Sequence, residues 1–258
     1  MLARGREGFQ IILEADLHMH TVACGHGYST VKELADAAAE AGLKMIAVTE
    51  HGPAIPGAPH MYFYENLKRL PSYWKGVEVL KGVEANIINI YGCLDLPGEL
   101  LAGMDIVLAG FHTRTGMDGL SVEEYTSGMI SALKNPLVHV ITHPGNPGFP
   151  VDIEKVALAA RDNQKVLEIN NSSFSTARPG SISRCRQFVR QVKKINGLVV
   201  INSDAHVFTE VGQCRHAVRA AVEAGLDNRH VLNTAADRVR EYLYLHKKRL
   251  KQNTVLPA

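Results

Sequence analysis

The chain is poor in cysteine, has almost no excess of charge of either sign, and contains no long apolar run. Its four cysteines (Cys24, Cys93, Cys185 and Cys214) are scattered through 258 residues without a CxxC pair. That excludes a disulfide-built scaffold and a cysteine zinc knuckle, and it suits a reducing compartment. Lys and Arg total 28 against 26 Asp and Glu, a formal charge of +2. So even a balance supplies no polybasic membrane anchor and argues against a nucleic-acid partner. Aromatic residues are only 6% of the chain, with no aromatic-basic stripe on which bases would stack. No apolar stretch reaches the roughly 20 residues of a membrane span. The first ten residues carry Arg4, Arg6 and Glu7 but no apolar signal-peptide core. With 46% hydrophobic and 21% charged residues, the expectation is a soluble, cytoplasmic globular protein.

What the chain does have is short apolar runs alternating with longer segments of helical period. The spacing predicts strands near Glu14–His20, Lys44–Thr49, Glu78–Asn86, Asp105–Phe111, Leu137–Thr142, Val166–Asn170 and Leu198–Ser203. Helices are predicted near Val31–Ala41, Tyr62–Trp74, Val122–Leu133, Asp152–Asn163, Ser181–Ile195, Thr209–Ala224 and Thr234–Lys248. The first of these has Thr30 and Glu33 as a capping box and Gly42 as a stop. Strands separated by such helices form right-handed βαβ units on a parallel sheet. Seven units without a linker predict one α/β domain, a distorted (β/α)7 TIM-like barrel over residues 1–258. Residues 1–12 read as an N-terminal extension and 249–258 as a C-terminal tail. Periodicity does not show closure, so an open doubly wound sheet is the alternative.

In a β/α barrel, chemistry sits at the carboxyl ends of the strands, and the ionisable residues fall there. The first strand ends in Asp16-Leu-His18-Met-His20, with His26 in the following loop; the second runs into Thr49-Glu50-His51. Glu84 lies near the end of the third. His112 and His143 follow the fourth and fifth, Glu168-Ile-Asn170-Asn171 ends the sixth, and Asp204-Ala-His206 follows the seventh. In His18-x-His20 and Asp204-x-His206 the alternate side chains share a face, as two ligands of one ion must. Imidazole with carboxylate suits zinc, manganese or iron(II) better than calcium or magnesium. Nine candidate ligands exceed what one ion uses, and a bridging carboxylate, with Glu84 the natural choice, would let two or three ions share the site. The remaining histidines read differently. His139 lies inside a strand as a hydrogen-bonded core residue, and His60, His216, His230 and His246 read as solvated. Cys24 reads as a buried structural thiol.

These motifs, in this order, resemble the PHP (polymerase and histidinol phosphatase) family of metal-dependent phosphoesterases, in particular its small stand-alone phosphatases. The residues that carry the resemblance are Asp-Leu-His18-Met-His20-Thr, Thr-Glu-His51-Gly, Gly-Val-Glu84-Ala-Asn, Ala-Gly-Phe-His112, Thr-His143-Pro-Gly, Glu-Ile-Asn-Asn-Ser-Ser-Phe and Ser-Asp204-Ala-His206. The resemblance implies three divalent metal ions per chain, zinc first, with manganese or iron as alternatives. It implies that His18, His20, Glu84 and Asp204 hold one ion, and that Glu84 bridges to a second with His112 and His143. His26, His51 and His206 would hold the third. The family's usual Thr-Asp-His-Gly is here Thr49-Glu50-His51-Gly52, which points to a change around the ligands and not to a lost ion.

Such a cluster hydrolyses phosphate esters with a hydroxide activated by the metals, so no separate catalytic side chain is expected. Arg178 is the candidate phosphate clamp, since guanidinium pairs with phosphate through two parallel bonds. Asn170 and Asn171 are candidates to bond substrate or ligands, or to cap the next helix. The expected substrate is a small phosphorylated molecule. A phosphodiesterase or nuclease on the same metals, a histidinol-phosphate phosphatase, an amidohydrolase and a non-catalytic PHP module are the rival readings. A homo-oligomer fits the sequence as well as a monomer does.

Overall fold

The computed structural model describes residues 11–175 and 178–253. Most of the expected N-terminal extension, residues 1–10, and the end of the expected tail, residues 254–258, lie outside the described residues. Among the described residues eight strands occur: β1 (Ala15–Asp16), β2 (Met45–His51), β3 (Tyr73–Trp74), β4 (Val77–Asn86), β5 (Ile106–Gly110), β6 (Val140–Ile141), β7 (Val166–Asn170) and β8 (Val199–Asn202). All but β3 run parallel, in the order β1-β2-β4-β5-β6-β7-β8. The helices are α1 (Val31–Glu40), α2 (Met61–Asn66), α3 (Gly98–Ala102), α4 (Val122–Lys134), α5 (Ile153–Asp162), α6 (Ser181–Lys194), α7 (Arg215–Glu223) and α8 (Ala236–Asn253). Thr30 and Glu33 form the expected capping box of α1.

The seven parallel strands nearly close into a barrel. β1 and β8 share no regular ladder. At the top of the seam Met19 and Ala205 form one parallel bridge. Lower down, the buried side chain of Asn233 fills the gap: its Nδ2 donates to the carbonyls of Ala15 and Ile201 at 2.7 Å each, and its Oδ1 accepts from Ile201 N at 3.0 Å.

Strand alternation decides where chemistry can occur. On the inner face, β2 presents Met45, Ala47, Thr49 and His51; β4 presents Leu80, Gly82, Glu84 and Asn86; β7 presents Val166, Glu168 and Asn170. The lower positions (Met45, Ala47, Leu80, Ile106, Leu108, Val166 and Val200) form one apolar plug with Ala236 and Val239 of α8, which crosses the amino-terminal mouth. The upper positions on the same faces are ionisable. The barrel is therefore packed at the bottom and polar at the carboxyl rim.

Several sequence expectations are corrected. The helix expected over Tyr62–Trp74 ends at Asn66 and a 3-10 turn to Arg69. Pro71 forces Leu70 to extended backbone (φ −66°, ψ 141°). Lys75 and Gly76, at φ 47° and 84°, then make a tight two-residue hairpin from β3 into β4. The helix expected over Thr209–Ala224 begins only at Arg215, after a short 3-10 turn. α8 continues to Asn253, through the start of the expected tail. His230 and His246 are buried, not solvated. His230 pairs with Asp227 at 2.8 Å, and His246 Nε2 takes the Nζ of buried Lys165 at 2.7 Å. His139 is a buried, hydrogen-bonded residue as expected, its Nδ1 accepting from Val107 N at 3.0 Å, but it lies just before β6 and not inside a strand, with its ring 4.1 Å from that of His246 on α8. His60 and His216 are exposed, and Cys24 is buried.

Candidate metal centre

The nine residues singled out from the sequence converge on the carboxyl rim. β2 and β4 pair in a register that sets His51 beside Glu84. Glu84, fully buried, is the hub. Its Oε2 lies 3.3 Å from His18 Nε2, 3.5 Å from His20 Nε2 and 2.8 Å from His51 Nδ1. Its Oε1 lies 2.8 Å from His143 Nε2 and 3.3 Å from His112 Nε2. Asp204 Oδ1 lies 3.5 Å from His18 Nε2 and 3.3 Å from His20 Nε2. Ligand atoms gather in groups, among them His18–His20–Asp204, Glu84–His112–His143 and His26–His51–His206. His20, His51 and Glu84 also form a group, and Cys24 approaches His20 and His206.

The backbone is bent to make this possible. His143 and Asp204 stand at φ 30° and 59°, a left-handed conformation that costs a residue with a Cβ and collects at functional sites. Asp16 anchors the loop bearing Asp204, accepting from Ser203 N at 3.1 Å and Gly212 N at 3.0 Å.

Around the ligand atoms, partners fix which imidazole nitrogen faces inward. Glu168 Oε1 takes His18 Nδ1 at 2.7 Å, while its Oε2 accepts from His143 N at 2.9 Å. Asn86 Oδ1 lies 2.7 Å from His112 Nδ1. Nδ1 of His26 and of His206 reach the carbonyls of Cys24 and Asp204, at 3.2 and 3.1 Å. Glu168 and Asn86 were not assigned roles from the sequence. Their place on the inner face, in step with Val166 and Glu84, was the available signal. Glu50 points away from His51 and holds the loop of His20 and His26, accepting from Thr21 N at 2.9 Å and from the Thr21 hydroxyl. Burial pushes its carboxyl up to about 7. Asn171 caps α7, its Oδ1 accepting from His216 N and Ala217 N, and Asn170 donates to Glu168 and Asp204.

Two observations test whether the residues fit metal ions. The first is geometric. Nε2 of His18 and of His20 are 3.1 Å apart, and with Glu84 Oε2 and Asp204 Oδ1 they give five separations of 3.1–3.5 Å. Zinc bonds of 2.0–2.1 Å in a tetrahedron imply ligand edges of about 3.3–3.4 Å. The second is polar accounting. His51 Nδ1 and His112 Nε2 are buried and approach the Glu84 carboxylate at 2.8 and 3.3 Å without the alignment of a hydrogen bond, an arrangement that is costly unless a cation engages these atoms. Burial opposes charge on Glu84, but the imidazoles of His18, His112 and His51 outweigh it and hold the carboxyl well below its usual range. Burial and neighbouring imidazoles pull His20, His26, His51 and His112 down. Burial opposes charge on His18 as well, but the carboxylates of Glu168, Glu84 and Asp204 outweigh it and hold that imidazole well above its usual range. An anionic Glu84 with the neutral imidazoles of His20, His26, His51 and His112 is a donor set that a divalent ion takes, and an ion would take the place of the proton on His18.

Above the cluster opens a cleft of about 510 Å³, walled by His26, His51, His112 and His206 together with Phe111, Phe149 and Arg178. The Arg178 guanidinium donates to Asp204 Oδ2 at 2.9 Å and Asn170 Oδ1 at 3.2 Å. Thr176 and Ala177, beside it, lie outside the described residues. No helix among the described residues is long and apolar enough to cross a membrane.

The PHP domain family model matches residues 16–173. A probable phosphatase of Acetivibrio thermocellus is 45% identical over 92% of this chain and 98% of its own. One from Caldanaerobacter subterraneus is 43% identical, covering 96% of each chain. The fold is similar to that of histidinol phosphate phosphatase from Lactococcus lactis, solved with zinc, L-histidinol and phosphate. That match has a TM-score of 0.62 at 17% identity, over 83% of this chain and 94% of the other.

Proposed function

The chain belongs to the PHP domain family, and from that premise we propose that it is a metal-dependent phosphatase acting on small phosphate monoesters. The observation that carries this reading is the division of Glu84. One oxygen faces His18, His20 and His51, and the other faces His112 and His143. A carboxylate so divided can serve two ions. His18, His20, Glu84 and Asp204 would hold the first, Glu84, His112 and His143 the second, and His26, His51 and His206 a third. Zinc suits these ligands best, with manganese or iron as alternatives.

Ions bound there would activate a water as the nucleophile and neutralise charge on the phosphoryl oxygens. The chain's own residues do the rest. Glu168 and Asn86 hold His18 and His112 with Nε2 directed inward. Arg178, beside Asp204 at the cleft edge, offers a guanidinium to a phosphoryl oxygen. Phe111 and Phe149 keep one wall of the cleft apolar and limit water around the ester. No Ser or Cys nucleophile is required.

The test compares p-nitrophenyl phosphate with bis-p-nitrophenyl phosphate, using protein reconstituted with Zn²⁺ or Mn²⁺ and Asp204→Ala as the control for contaminating phosphatase. Monoester turnover that disappears in the variant is expected. Preference for the diester would move the assignment to a phosphodiesterase, and cleavage of neither would remove the phosphatase reading.

A further inference from the structure

The metal cluster and Arg178 account for binding one phosphoryl group, yet the cleft has a further cation that they do not use. Among the described residues its wall contains two arginines, Arg114 and Arg178, and no Asp or Glu. Arg178 is engaged with Asp204, Asn170 and Ser173. Among the described residues, the Arg114 guanidinium makes no hydrogen bond or ion pair with any other side chain or backbone group.

Arg114 is nevertheless not on a loose loop. Its backbone N donates to Asp118 Oδ2 at 2.8 Å, and the Thr115 hydroxyl donates to the carbonyl of His112 at 2.7 Å. Thr115 and Met117 are buried beneath the loop. Arg114 itself stands at φ 65°, a left-handed conformation that costs a residue with a Cβ and collects at functional sites. The strained, anchored backbone therefore places Arg114, an exposed residue, on the cleft wall two residues beyond the candidate ligand His112. The cleft volume of about 510 Å³ falls in the range of small-molecule sites, about 300–1,000 Å³, and leaves room beyond a single phosphoryl group.

We infer that Arg114 forms a second anion subsite, and that the substrates are small phosphomonoesters carrying a second anionic group, a carboxylate or another phosphate. This rests on the phosphatase reading. While the scissile phosphoryl group lies at the metals and Arg178, the distal anion would take the Arg114 fork through charge-assisted bonds. Its role is to select and orient substrate, not to act on the reacting atoms.

The test uses the full chain loaded with Zn²⁺ or Mn²⁺ and two matched substrate pairs. Glycerol 3-phosphate against 3-phosphoglycerate adds a carboxylate, and fructose 6-phosphate against fructose 1,6-bisphosphate adds a phosphate. Wild type is expected to favour the doubly anionic member of at least one pair, and the pair that responds identifies the anion. Arg114→Gln is expected to lower kcat/KM for that member by about ten- to a hundred-fold, the worth of a charge-assisted bond, chiefly through KM. Turnover of p-nitrophenyl phosphate should stay within about two-fold, since that ester makes no use of the subsite. Arg114→Lys should restore part of the preference. If wild type hydrolyses p-nitrophenyl phosphate but shows no preference in either pair, or if Arg114→Gln lowers all substrates equally, the subsite is wrong and the phosphatase reading stands. If wild type hydrolyses none of them, both fall.

Discussion

Glu168 Oε1 lies 2.7 Å from His18 Nδ1, and both side chains are fully enclosed at the floor of the histidine cluster. The same carboxylate accepts from Asn202 Nδ2 at 2.9 Å and from His143 N at 2.9 Å. It thus aims two of the proposed metal ligands at once, one by its ring and one by its backbone. Glu168→Gln turns an amide donor toward groups that need an acceptor. Metal affinity should fall about 10–100-fold, read by competition with a chelating dye, while the far-ultraviolet circular dichroism is kept. Unchanged affinity would remove Glu168 from the support of the site.

Glu84 is expected to serve two ions through its two oxygens. Glu84→Ala should therefore cost two of the bound metals together, with the His26–His51–His206 group least affected. Elemental analysis of purified variant and wild type measures this directly. Metal content equal to wild type would contradict the bridging role.

Asn233 should matter to stability and not to chemistry. It bonds Ala15 and Ile201 across the seam where β1 and β8 lack a ladder. Asn233→Leu leaves those buried backbone groups without partners, at a cost of about 1–3 kcal/mol each. A loss of several kcal/mol in urea unfolding is expected, with kcat per folded molecule retained. A loss under 1 kcal/mol, on the order of a single neutral hydrogen bond, would show that the seam closes without it.

The barrel's other end predicts an acid sensitivity. Burial, with the charges of Lys165 and Arg249, pushes His246 down to about 4. The folded state therefore binds fewer protons than the unfolded one between about 4 and the ordinary 6.5. Stability from this residue is complete above 6.5 and is lost as the pH falls through that window. From pH 6.5 to 5 the loss is on the order of 1 kcal/mol once solvent screening is allowed for. His246→Gln keeps an acceptor for Lys165 and removes the titration, so its unfolding free energy should fall less over the same range. Parallel pH dependences would contradict this account.

Much of this architecture was legible because a parallel strand carries its own address. Apolar residues at the lower inner positions and ionisable ones two or four residues later mark the rim, as in Val166 and Glu168 or Leu80 and Glu84. The parts that were not legible depend on partners far along the chain. His246 looked solvated because Lys165 and His139, which bury it, are 81 and 107 residues away. The seam at Asn233 joins Ala15 to Ile201, and no local pattern announces it. The hairpin at Lys75–Gly76 did have a signal, Pro71 followed by a turn pair, which the apolar spacing of Tyr62–Trp74 overrode. Glu50 illustrates a third case. Its neighbour His51 faces the metals, but alternation along β2 turns Glu50 outward to Thr21.

The proposed phosphatase activity depends on ions held by the side chains gathered around Glu84. The most direct measurement prepares metal-free protein with a chelator and titrates it with Zn²⁺ or Mn²⁺ while following p-nitrophenyl phosphate hydrolysis. No turnover is expected without metal, and activity should rise and level near about three equivalents per chain. Full turnover by metal-free protein, or a plateau after a single equivalent, would contradict this dependence.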